Sequence, residues 1–344
     1  MRPHSSDFAS DADRAACKRM IQAGSKSFSA ASLLLPSGVR AAAYALYAFC
    51  RLSDDLVDVE GGSLDAIARL RARLDLAYAG NPADGAVDRA FADVIARHAL
   101  PRALPEALIE GLEWDVRGFA GETIEDTYAY GARVAGAVGA MMTVLMGVRD
   151  PHVLARACDL GVAMQLTNIA RDVGEDARNG RLYLPRAWLR EEGVDPDAWL
   201  ARPEWSPAIG AVVRRLLQDA DRLYVCAQSG VAGLPVSCRP AIFAARHLYA
   251  AIGDEIGRNA FNSIGSRARV STSRKARLMA VALADAALPR SVATAPALPQ
   301  TQFLVDAVAQ SQISIQRPVE NRILWVAELF VSLGERDRMR GVRA

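Results

Sequence analysis

Lysine is nearly missing from this 344-residue chain: Lys18, Lys26 and Lys275 stand among 41 basic residues, and all the others are arginine. A guanidinium suits bidentate binding of carboxylate or phosphate better than an ammonium does, although genome composition produces the same bias. Cysteine is sparse as well. Its five copies (Cys17, Cys50, Cys158, Cys226, Cys238) are odd in number and far apart, with no Cys-x-x-Cys pair. That argues against a disulfide framework or a zinc knuckle and fits a reducing compartment. The four histidines (His4, His98, His152, His247) show no ligand spacing. A net charge of +2 gives no electrostatic case for nucleic acid. The longest uncharged apolar run, between Arg133 and Arg149, falls short of the roughly 18–20 residues of a spanning helix and reads as a buried core helix. Met1 to Arg19 is polar and mixed in charge, unlike a signal peptide. A cytoplasmic protein is expected.

Alternating strand patterns with Asn-Gly or Asp-Gly turns are also scarce. What fills the chain instead is Ala, Leu and Arg, with apolar positions recurring at three and four, so the expected class is all-α. Helices are predicted at 8–23, 38–58, 63–79, 84–98, 102–119, 124–147, 151–177, 206–231, 239–262, 272–286 and 316–334, with short ones at 185–191 and 195–200. Breaks fall at Gly and Pro, among them Leu35-Pro36-Ser37-Gly38 and Gly233-Leu234-Pro235. The organisation read from this is an N-terminal segment (1–22), one helical domain (23–286), an Ala-, Pro- and Thr-rich linker (287–302), and a C-terminal helix with an Arg-rich tail (303–344).

Two acidic segments stand out. In Arg51-Leu52-Ser53-Asp54-Asp55-Leu56-Val57-Asp58, residues four apart lie about 40° apart around a helix, so Asp54 and Asp58 share a face with Asp55 to one side. In Asn168-Ile169-Ala170-Arg171-Asp172-Val173-Gly174-Glu175-Asp176, Asp172 and Asp176 repeat that geometry, with Asn168 a turn earlier and Gln165 close to it. An isolated Asp-x-x-x-Asp is ordinarily a solvated helix face. Here the preceding turns, Ala41 to Cys50 and Gly161 to Ala170, carry no charge, and a helix apolar all round is buried. Carboxylates facing each other on buried helices repel unless a cation lies between them. Oxygen ligands without His or Cys select Mg²⁺ or Mn²⁺, and Mg²⁺ commonly shares one or two carboxylates with substrate phosphates. Ionisation of an allylic diphosphate in an apolar cavity is the chemistry this suits.

The sequence resembles the squalene/phytoene synthases, head-to-head prenyltransferases of the class I isoprenoid synthase fold, from about Ala23 to Ala286. The matching stretches are Ser25-Lys26-Ser27-Phe28, Tyr47-x-x-Cys50-Arg51 leading into Asp54-Asp55-x-x-Asp58, and Tyr130 before Val134-Ala135-Gly136-x-Val138-Gly139. Most specific is Gln165-Leu166-x-Asn168-Ile169-x-Arg171-Asp172-x-x-Glu175-Asp176, followed by Gly180-Arg181-x-Tyr183-x-Pro185.

The resemblance implies a single helical bundle around a central active-site cavity. It implies metal binding by Asp54, Asp55 and Asp58 on the first helix and by Asn168, Asp172 and Asp176 on the second. It places Arg51, Arg171, Arg181 and Arg267 near diphosphate, with Ser25, Lys26 and Ser27 on an N-terminal flap; Arg267 is preferred over Arg269 in a loosely matching stretch. Gln165 positions a water or a ligand, Tyr130 lies near the reacting cation, Tyr183 and Arg181 lie on a loop expected as a lid over the diphosphate, and Tyr249 is an aromatic contact. Val134, Ala135 and Gly139 line a prenyl tunnel, where small side chains also serve close helix packing.

The implied reaction joins two geranylgeranyl diphosphates through prephytoene diphosphate to phytoene in carotenoid biosynthesis, using Mg²⁺ or Mn²⁺ and no NADPH. A farnesyl-using relative making presqualene diphosphate, squalene or dehydrosqualene is the alternative, and a non-catalytic assembly or lipid-binding factor is a third reading. Missing a C-terminal anchor leans away from eukaryotic squalene synthases. Peripheral membrane contact and other carotenoid-pathway enzymes are the expected partners.

Overall fold

The computed structural model describes residues 8–59, 63–288 and 290–311, and among these every regular element is a helix. Local chemistry sets the boundaries. Ser10 and Asp13 form a capping box that starts α1 (Asp11–Gly24), and the Ser25 hydroxyl accepts from the Phe28 amide to start α2 (Lys26–Ser32). The first acidic motif lies at the end of α3 (Ser37–Val59). Then come α4 (Leu64–Tyr78), α5 (Ala86–His98) and α6 (Ala103–Val116). The helix predicted over 124–147 is α7 (Ile124–Gly131), a π turn (Ala132–Gly136) and α8 (Ala137–Leu145). Asp150 caps α9 (Pro151–Arg178), whose proline occupies the first turn, where its missing amide proton is not needed. The remaining helices are α10 (Arg186–Glu191), α11 (Pro196–Ala201), α12 (Pro207–Gly230), α13 (Arg239–Arg258) and α14 (Thr272–Ala287), with residues 302–311 helical beyond them.

Periodicity located all of these except α2 and 302–311; the helix predicted at 316–334 lies outside the described residues. Residues 290–301 carry no helix, and Arg156 donates to the carbonyls of Ala295 and Pro296 on that stretch.

α9 lies at the centre, packed against α8, α12 and α13. A Cβ on Gly161 would stand 2.4 Å from the Ala135 carbonyl oxygen, and one on Gly139 would stand 2.4 Å from that of Ala157. These glycines let the backbone of α9 touch those of the π turn and α8. Two Leu-Pro turns of like build precede α3 and α13. In one, Arg40 donates to the carbonyls of Leu33 and Leu35; in the other, Arg239 donates to those of Ala232 and Leu234. Sequence spacing is identical in the two, with the arginine five residues after the leucine.

Candidate active site

A cavity of about 660 Å³ runs along the bundle, and four helices contribute a stripe each. α9 supplies Val153, Arg156, Leu160, Met164, Asn168 and Arg171, a spacing of three and four that keeps one face on the cavity for about five turns. α3 runs from Ala43 to Asp54, the α7–α8 helix from Tyr130 to Met146, and α13 from Ala241 to Tyr249. Apart from the buried Arg156, each stripe is apolar at one end and polar at the other, and the polar ends coincide. The result is an apolar shaft with a charged mouth.

At that mouth Asp172 accepts two guanidinium forks. Arg171 reaches it at 2.8 and 2.6 Å and Arg267 at 2.7 and 3.0 Å, while Arg267 also lies 3.4 Å from Glu175. Burial disfavours the Arg171 charge, yet Asp172 outweighs it and holds the guanidinium above its ordinary range. Opposite, on α3, Arg51 pairs with Asp55 at 2.7 Å and approaches Asp54 at 3.8 Å. Asp54 lines the cavity, whereas Asp55 turns to its arginine. Asp58 continues α3 by one turn, and its side chain lies outside the described residues.

Burial pushes the Asp176 carboxyl up to about 7, with further repulsion from Asp172, Glu175 and Asp115 and a partial offset from Arg181. Asn168 lines the cavity and donates to Gln165 at 3.3 Å, and its own Oδ1 is buried with no partner.

Asp115, near the end of α6, was not singled out by sequence reasoning. It lines the cavity and accepts from the Tyr183 hydroxyl at 2.7 Å and the Tyr130 hydroxyl at 2.9 Å. Burial raises its carboxyl to about 6 against the pull of those hydroxyls. The tyrosine rings stack at 5.1 Å, and Phe119 stacks on Tyr130 at 4.8 Å. Tyr183 itself is not part of the cavity wall; it reaches the site through Asp115. Phe28, beside the Ser25 cap, lies 5.1 Å from the Tyr249 ring. Lys26 is exposed and Ser27 half-buried, and neither lines the cavity. Val134, Ala135 and Gly139 do line it, just below Tyr130. Cys50 lines it too, with burial pushing its thiol up to about 12.

Among the described residues no three His, Cys, Asp or Glu side chains converge as a ready-made metal cage. The donors nonetheless fit a hard divalent cation that shares its coordination with phosphate. They are all oxygen, Asn168 Oδ1 is buried and unclaimed, and the carboxyl of Asp176 is held toward its neutral form by burial and by negative neighbours, both of which a cation would offset.

A family model described as squalene/phytoene synthase matches residues 21–276. A phytoene synthase of Cereibacter sphaeroides is 51% identical over 342 residues, covering 95% of each chain. One of Rhodobacter capsulatus is 48% identical over 336 residues, 95% of this chain and 98% of the relative. Among solved structures, a dehydrosqualene synthase in complex with ligand superposes with a TM-score of 0.74 at 30% identity, over 79% of this chain and 96% of that one. The matched span contains the whole cavity wall, whose first residue is Ile21 and whose last is Arg267. Sequence and fold thus agree on the stretch that builds the site: the chain belongs to the squalene/phytoene synthase family.

Proposed function

We propose that this chain is a prenyltransferase that joins two molecules of geranylgeranyl diphosphate head to head, through prephytoene diphosphate, to phytoene, releasing both diphosphates. The observation that carries this reading is the polarity of one cavity: a mouth of arginines and acids above an apolar shaft. The names of the relatives, phytoene synthase at 51% and 48% identity, support the twenty-carbon substrate.

Each residue then has a task. Arg51, Arg171 and Arg267 bind diphosphate oxygens, which suit a guanidinium fork as well as the carboxylates they now hold. Asp54, Asp172, Asp176 and Asn168, with Asp58 and Asp55 on the α3 side, are the oxygen donors for Mg²⁺ or Mn²⁺. Such a cation, when bound, neutralises the charge of the departing diphosphate. Tyr130, fixed by Asp115 and clustered with Phe119 and Tyr183, supplies aromatic electron density that attracts the cation left behind. The double bond of the second substrate captures that cation, and the shaft excludes the water that would quench it. A second ionisation, rearrangement and proton loss complete the hydrocarbon without a reductant.

No helix among the described residues is long and apolar enough to cross a membrane. The product has no polar group, so delivery requires peripheral contact with lipid; Leu33 and Val236, 60% and 69% exposed on the two Leu-Pro turns, are suited to it. Delivery to other carotenoid-pathway enzymes belongs to the same reading.

The test is incubation of the full chain with labelled farnesyl or geranylgeranyl diphosphate and Mg²⁺, with and without NADPH. Phytoene from the twenty-carbon substrate without NADPH, abolished by a chelator, is the expected result. A thirty-carbon hydrocarbon as the main product, or turnover indifferent to chelation, overturns the reading.

A further inference from the structure

The apolar end of the cavity is closed by unusual means. Arg156, on the cavity face of α9, is 4% exposed. Its Nε lies 2.7 Å from Asp159 Oδ2, and its two terminal nitrogens donate to the carbonyls of Ala295 (3.2 Å) and Pro296 (3.0 Å). The 3₁₀ turn Val231–Gly233 crosses α9 at this level. A Cβ on Gly230 would stand 2.2 Å from Arg156 Cβ, and one on Gly233 would stand 2.3 Å from Val153 Cγ2. Backbone is pressed directly onto the arginine stem.

A buried ion pair is a poor way to gain stability, since apolar side chains of similar volume commonly serve as well. It is a good way to immobilise a wall. The Arg156 guanidinium has partners on three sides and cannot swing away without stranding Asp159, whose side chain is 2% exposed, in the interior. The shaft above is different. Met142 and Met164 line it, and methionine adapts its rotamers to what it touches. The sides yield and the bottom does not. The Leu-Pro turns flanking this end are fastened in the same manner, by Arg40 and Arg239 on backbone carbonyls.

From Arg171 at the mouth to Val153, on the same clamped turn as Arg156, is about five helical turns of α9, one beside the diphosphate and four beside the chain. An extended isoprene unit is about as long as one such turn, of about 5.4 Å. We propose that the Arg156 turn, clamped by Asp159 and by the carbonyls of Ala295 and Pro296, is the fixed floor that stops a prenyl chain after four isoprene units. The inference rests on the prenyl diphosphate reading above and assigns its chain-length selection to residues outside both acidic motifs.

The test compares full-length wild type with Arg156→Ala/Asp159→Ala, which removes both charges together, and with Ala157→Phe, which keeps the clamp and fills the cavity beside it. Each protein receives equimolar fifteen-, twenty- and twenty-five-carbon allylic diphosphates with Mg²⁺, and the hydrocarbons are resolved by mass. The double variant is expected to raise use of the twenty-five-carbon substrate relative to the twenty-carbon one at least tenfold. Ala157→Phe is expected to shift use at least tenfold toward the fifteen-carbon substrate. A merely structural role lowers turnover of all three alike and leaves the ratios unmoved. Unchanged ratios in a folded double variant overturn the floor; should that variant fail to fold, an unchanged ratio in Ala157→Phe does so. Wild type that converts no twenty-carbon substrate overturns the function reading, and the floor with it.

Discussion

At the mouth of the cavity, Arg171 and Arg267 lay their guanidinium forks on the carboxylate of Asp172; at the far end, Arg40, Arg156 and Arg239 direct theirs to backbone carbonyls. The residue type is the same and the consequence is opposite. The carboxylate held by Arg267, whose side chain is 46% exposed, can be exchanged for another anion, so the mouth is built to change partners on binding. At the floor Arg156 and its partner Asp159 are both nearly sealed from solvent, where no other anion arrives, so that end is built to stay as it is.

The largest effect that sharpens this contrast is loss of a mouth carboxylate. Asp54→Asn is expected to reduce turnover by about 10³-fold or more, because several kcal/mol of leaving-group stabilisation depend on the bound cation. Its melting temperature is expected to stay within about 3 °C of wild type, Asp54 being half exposed. Normal turnover in a folded Asp54→Asn protein removes the mouth from the metal chemistry.

At the floor the order is reversed, with stability suffering first. Arg156→Met strands the Asp159 carboxylate and is expected to cost about 3–5 kcal/mol in denaturant unfolding at pH 8. The pH dependence carries a sign. Burial has already raised the Asp159 carboxyl to about 6, and Arg156 is what pulls it down, so removing the arginine raises it further. A carboxyl whose folded value exceeds its unfolded value of 3.8 contributes stability below that value and loses it as pH rises through the folded one. The deficit of Arg156→Met is therefore expected to be smaller at pH 5 than at pH 8. Equal deficits at both would break the comparison.

A smaller effect separates Asp115 from both ends. The Tyr183 hydroxyl lowers the Asp115 carboxyl toward about 6, so Tyr183→Phe is expected to move the acid limb of kcat/KM to higher pH, by about one unit or tenfold at the limb. A limb that stays in place or moves down contradicts that role. Least of all, Arg40→Met on a half-buried turn is expected to cost about 1–2 kcal/mol, read from its unfolding midpoint, because the freed carbonyls can rehydrate.

Helices were legible in the sequence because burial on one face repeats at three and four, and serine, aspartate and proline mark the ends. The two acidic motifs were legible because their carboxylates follow uncharged turns. Asp115 was not, since Glu113-Trp114-Asp115 reads as an ordinary polar helix end until two tyrosines from other elements are seen to donate to it. Nor was the floor: Arg156 and Asp159, three apart, have the spacing of a surface pair, and their burial depends on the carbonyls of Ala295 and Pro296 far along the chain. The π turn after Tyr130 leaves the apolar pattern nearly unchanged and so escapes periodicity. Lys26 matched a motif, yet its side chain stands in solvent.

The meeting of Gly139 with Ala157, and of Gly161 with Ala135, has a consequence for how this enzyme can change. Where those helices touch, the bore is faced with peptide rather than with side chains that substitution can trim. Nothing remains there to hollow out. Descendants admitting bulkier guests must find their room among the methionines or at the bottom, and the seam between α8 and α9 stays as narrow as two bare backbones allow.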